Sequence, residues 1–163
     1  MRRLKVRQVI RLLKRDGWLL ERQRGNKMKH MNQTIIDIDW TERNFAAAPR
    51  DERIACVATG ATLEAVQNAI VEAMKFHLEG MGMHGESIPE EYQGEWQPVF
   101  VLTTRAKLRY TDNYITRKAL SRETGINIRQ LSHYANGWKH PRPSTEQKIA
   151  EGIRAISKRL ALI

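Results

Sequence analysis

The chain has 163 residues, 41% hydrophobic and 28% charged, with a formal net charge of +10. This composition suits one ordinary globular domain or two small ones and is too apolar for a disordered chain. No apolar run approaches the roughly 20 residues that span a bilayer. No apolar signal core follows the basic N-terminus, so secretion is not expected. The single cysteine, Cys56, builds neither a disulfide framework nor a multi-cysteine zinc site, which suits a reducing cytoplasm.

The charge is unevenly divided. Residues 1–30 hold eleven Lys/Arg against Asp16 and Glu21, a net +9. Residues 31–95 hold four basic against twelve acidic side chains, a net −8, and residues 96–163 hold thirteen against four, again +9. A cationic segment attracts the nucleic-acid backbone whatever its sequence, although a solvated face reads the same way.

Taken in chain order, Val6, Val9, Ile10 and Leu13 recur at helical spacing and predict a basic amphipathic helix over 3–15. Asp16-Gly17 ends it, and 18–22 reads as a short strand. Residues 25–32 have no period and read as a linker or broken turn. Residues 34–40 alternate, with Ile36, Ile38 and Trp40 on one face and Asp37 and Asp39 on the other, as in a half-buried strand. Residues 44–48 and 53–59 are two further strand candidates around the polar turn Arg50-Asp51-Glu52. Gly60 breaks the last of these and Thr62 can cap a helix, in which Leu63, Val66, Ile70, Met74 and Leu78 form one stripe until Gly80. A loop is expected over 80–98 and a strand over 99–103, and from Arg105 every strong pattern is helical.

The expected fold class is therefore α+β. A strand-strand-strand-helix-strand domain occupies 33–104, an all-helical domain occupies 105–163, and a basic segment with a linker, 1–32, precedes both. Within 115–137, Thr116 can cap a first helix and Gly125 marks a turn. Ile126 plugs the turn, and Asn127 can cap a second helix whose Leu131 and Tyr134 face Ala119 and Leu120. That is helix-turn-helix spacing. It turns Arg129, Gln130, Ser132 and His133 outward, where base edges are the expected partners. Thr116, Arg117, Asn127, Trp138, Lys139 and Arg142 fall at helix starts or in the following loop, where phosphates are nearer. A plain helical bundle with a basic exterior is the alternative reading. A final helix is expected over 145–163.

Two stretches resemble the HicB antitoxin family. One is Cys56-Val57-Ala58-Thr59-Gly60-Ala61-Thr62-Leu63-Glu64-Ala65 and the helix running on to His77-Leu78-Glu79-Gly80. The other runs from Ile115 to Pro143 and contains GIN-x-RQLSHYANG and KHPRP. With residues 34–40 the resemblance covers 33–163. It implies a partial RNase-H-like domain that binds and blocks a HicA-type toxin, a tail that represses the operon through operator DNA, and at least a dimer. Residues 6–18 and 22–25 instead resemble the start of a HicA toxin. Where that family places Ser-His this chain has Asn26-Lys27, so the resemblance implies an inactive fragment.

Other chemistry is weighed against this. Asp37 and Asp39 share a strand face and make metal-dependent RNA cleavage the rival enzyme reading, although i, i+2 carboxylates are commonly just a wet face. The histidines show no metal-ligand spacing with cysteine or carboxylate, and Cys56 reads as a small hydrophobe in a strand. The expectation is a binding protein, not an enzyme, without cofactor or metal. A helix-turn-helix regulator with a ligand-sensing α+β domain, and no toxin, is the second reading.

Overall fold

The computed structural model describes residues 18–20, 28–30 and 32–162. The helix expected over 3–15 and the Asn26-Lys27 pair lie outside the described residues. Strands β1 (Trp18–Leu20) and β2 (Met28–His30) pair antiparallel as a two-stranded sheet. The linker expected over 25–32 therefore contains strand at 28–30, and Asn32 already opens the next strand.

The main sheet comprises β3 (Asn32–Trp40), β4 (Phe45–Pro49), β5 (Ala58–Gly60) and β6 (Trp96–Leu102), in the order β5-β4-β3-β6. The neighbours β5-β4 and β4-β3 are antiparallel, whereas β6 runs parallel to β3, with Asn32 opposite Trp96 and Ile38 opposite Leu102. The sheet is therefore mixed. Helix α1 (Leu63–Met83) makes the crossover and packs on β4 and β5. The alternation in β3 does what its pattern dictates: Thr34, Ile36 and Ile38 are buried, while Asp37 and Asp39 stay partly exposed. Val66, Ile70, Met74 and Leu78 of α1 meet Ile36, Ile38, Phe45 and Ala47 in one core.

Two boundaries differ from the sequence reading. The strand expected over 53–59 is only 58–60. Asp51 accepts from the backbone N–H of Arg53 and binds its guanidinium, so this stretch turns, and Ile54 drops into the core instead of alternating. Helix α1 also runs past Gly80 to Met83, since a glycine with open space around it weakens a helix without ending it. Gly60 does stand where the strand ends, and its reason is steric. A Cβ there would lie 2.5 Å from the Val66 backbone nitrogen, so only glycine lets β5 meet the start of α1.

Four more helices follow: α2 (Thr104–Thr111), α3 (Arg117–Thr124), α4 (Ile128–Ala135) and α5 (Pro143–Leu160). The chain is thus α+β, with a four-stranded mixed sheet and five α-helices among the described residues. Leu108, Leu120, Ile126, Leu131, Tyr134, Ala135 and Ile149 form a second core. α2 belongs to both cores, since Ala106 is buried in the first and Leu108 in the second.

Candidate nucleic-acid interface

Helices α3 and α4 are built from their ends inward. The Thr116 side chain accepts from the Ala119 N–H at 3.2 Å, starting α3. Gly125 ends it with φ at +67°, a left-handed conformation that glycine takes without a Cβ clash. The Thr124 hydroxyl donates to the Leu120 carbonyl at 2.7 Å and accepts from Ile126 N–H, so the turn is satisfied internally. Asn127 then caps α4 by accepting from Arg129 N–H at 2.8 Å. Leu131, Tyr134 and Ala135 point into the second core, while Ala119 is half-buried.

The inward side fixes the outward one. Arg129 and Gln130 are exposed in the first turn of α4, and Gln130 Nε2 donates to the Tyr134 hydroxyl at 2.6 Å. The other two outward residues are more committed. Ser132 is half-buried and its hydroxyl donates to the Ile128 carbonyl, and His133 is half-buried with its ring 5.5 Å from that of Trp138. The loop after α4 leaves Trp138, Lys139 and Arg142 exposed, Trp138 by 73%. Arg117 is engaged elsewhere, clasping Asp112 through Nε at 3.0 Å and Nη2 at 2.7 Å. The structure therefore gathers Arg129, Gln130, His133, Trp138, Lys139 and Arg142 around α4 and its following loop. Thr116 and Asn127 act first as backbone caps.

Sequence reasoning missed the arginines of α2. Arg109 donates from Nε to the Ala135 carbonyl at 3.0 Å and from Nη2 to Asn136 Oδ1 at 2.6 Å, holding the C-terminal end of α4. Its guanidinium also lies 5.8 Å from the Trp40 ring centre. One turn earlier, Arg105 forks onto the Asp39 carboxylate, which also accepts from the Thr103 hydroxyl. Partial burial of Asp39 pushes its pKa up, but the Arg105 and Thr103 hydrogen bonds outweigh this and leave it below the ordinary value. The i, i+4 spacing of Arg105 and Arg109 was the available signal; their partners are distant in sequence and were not.

The remaining chemistry is placed as follows. Asp37 is clasped by Arg50 and Asp39 by Arg105, so each strand carboxylate has its own arginine rather than facing a shared open site. Among the described residues, no three His, Cys, Asp or Glu side chains group as metal ligands. Cys56 is half-buried in the irregular stretch before β5, not in a strand, and burial pushes its thiol pKa up. No described helix is long and apolar enough to cross a membrane. Compared with protein-family models and with curated proteins, the chain finds no match.

Proposed function

We propose that this chain is a sequence-specific DNA-binding repressor in which α3, the Gly125 turn and α4 form a helix-turn-helix. The observation that carries this is the first turn of α4. It is capped by Asn127 and anchored by Leu131 and Tyr134, and it leaves Arg129 and Gln130 exposed beside a loop bearing Lys139 and Arg142. In a helix-turn-helix that end of the second helix enters the major groove, and the loop lies over the backbone. The +9 charge of residues 96–163 supplies the sequence-independent attraction.

The proposal extends to the HicB kind of antitoxin, supported by the resemblance of residues 33–163 and by the order strand-strand-strand-helix-strand of the α+β part. On this reading that part is a partial RNase-H-like fold that holds a HicA-type toxin. The protein acts in the cytoplasm as a homo-oligomer and catalyses nothing. The test has two arms. The full chain should retard the DNA upstream of its own gene more strongly than scrambled DNA. It should also co-purify with, and silence, a small basic toxin encoded beside it. Equal binding to both DNAs refutes the repressor, and failure to rescue growth from that toxin refutes the antitoxin.

A further inference from the structure

Between the sheet and the helices lies a cleft of about 340 Å³, within the roughly 300–1,000 Å³ range of small-molecule sites. Trp40 and Phe45, edge to face with centroids 4.8 Å apart, form one part of its lining. Tyr110 and Tyr114, 5.6 Å apart, form another, and their exposure of 39% and 69% leaves ring surface open to a visitor. Trp40, Tyr110 and Tyr114 favour a flat apolar body, and Phe45, 4% exposed, backs the Trp40 ring from the core.

The polar part of the lining carries both signs, and the positive one is the less fully met. Arg109 brings a guanidinium. Ala61, Thr62 and Leu63 bring the start of α1, a 21-residue helix whose first N–H groups have no intrahelical acceptor beyond the one that Thr62 satisfies. Asp112 also lines the cleft, but its charge is met by Arg117. Glu64 in the first turn of α1 offsets part of the helix-end potential, so Arg109 is the group left to attract an anion.

We propose that this cleft binds a small planar aromatic anion, and that α4 reads its occupancy through Arg109. The first half stands on the lining alone; the second rests on the DNA-binding reading above. Two guanidinium nitrogens of Arg109 hold the end of α4. A carboxylate entering the cleft competes for the same cation, so ligand and helix end share one anchor.

The test uses the full chain with indole-3-acetate and benzoate as probes, against indole-3-acetamide and benzamide, by calorimetry and saturation-transfer NMR. At least one carboxylate should saturate a single site below millimolar concentration, with its amide about tenfold weaker, because a charge-assisted pair is lost. Tyr114→Ser, at an exposed position, should weaken binding about fivefold by removing one ring. Absence of saturable binding, equal binding of acid and amide, or an unaffected Tyr114→Ser chain overturns the site. With the probe bound, affinity for the upstream DNA should change about fivefold or more. Unchanged DNA affinity overturns the relay through Arg109. A chain that binds the probe and no DNA overturns the repressor reading while supporting the site.

Discussion

The guanidinium of Arg109 stacks 5.8 Å from the centre of the Trp40 ring, and two of its nitrogens hold the last turn of α4. One side chain thus ties the end of a sheet strand to the helix proposed to read DNA. Neither α2 nor α4, at eight residues each, is long enough to stand as an isolated helix. Their mutual fixing comes from such tertiary contacts.

Replacing that side chain should be costly. Arg109→Ala leaves the Ala135 carbonyl and the Asn136 amide without their part-buried donor, for a loss of about 1.5–3 kcal/mol. Arg109→Lys keeps the charge but not the planar fork, and should recover less than half of that. Urea denaturation of the three chains measures both; a stable Arg109→Ala chain would show that the contact does not hold α4.

Base reading and phosphate binding should separate by residue. Gln130→Ala should weaken binding to the upstream site by about 1–3 kcal/mol and leave scrambled DNA almost unaffected. Lys139→Ala should weaken both DNAs alike and flatten the salt slope by about one unit. Mobility shifts over a salt series decide. An equal loss on both DNAs for Gln130→Ala would put α4 in the wrong place.

Two glycines in helices should respond with opposite signs. Gly80 in α1 has open space where a Cβ would go, so Gly80→Ala should stabilise by about 0.5–1 kcal/mol. At Gly152 in α5 a Cβ would lie 2.4 Å from Thr124 Cγ2 and 3.2 Å from Leu120 Cδ1. Overpacking should outweigh the better helix propensity there, and Gly152→Ala should lose about 1–2 kcal/mol. Thermal melts of the pair are sufficient, and stabilisation by both would mean that α3 and α5 are less closely packed.

The acid limb should carry the mark of Asp39. Its folded pKa lies below the ordinary value because the hydrogen bonds from Arg105 and Thr103 outweigh desolvation. The unfolded chain therefore takes up its proton first. The contribution is present above about pH 4 and is lost as pH falls through the folded value. Asp39→Asn should have a shallower dependence of stability on pH below about 4 and less stability at neutral pH. Identical acid limbs for the two chains would remove Asp39 from the account.

What the sequence made legible is what local periodicity can carry. The alternation of β3 and the stripe from Leu63 to Leu78 in α1 each bury one face of one element, and neighbours in sequence reveal that. The caps at Thr116 and Asn127 are equally local, since donor and acceptor lie two or three residues apart. The turn at 52–53 and the irregular stretch after it were hidden because Asp51 and Arg53 satisfy each other within a stretch whose composition reads as strand. Arg105 and Arg109 were hidden for the opposite reason. On an exposed basic helix they look like solvated charge, and only the fold supplies Asp39, Trp40 and the end of α4.

The parallel pairing of β6 with β3 also orders events in time. These strands meet only after β4, β5 and α1 have been made, and Thr103 reaches Asp39 across 64 residues. Contacts so distant along the chain carry a large loop-closure cost and form slowly. The contacts among the helices after Thr104 close shorter loops, since Arg109 reaches Ala135 and Asn136 across 26 and 27 residues and Arg159 reaches Glu123 across 36. In refolding of the complete chain, the C-terminal helices are therefore expected to assemble before the sheet gains its fourth strand. Arg105 adjoins β6 and meets Asp39 on β3 only once those strands pair, so the junction between the two cores is expected to close last.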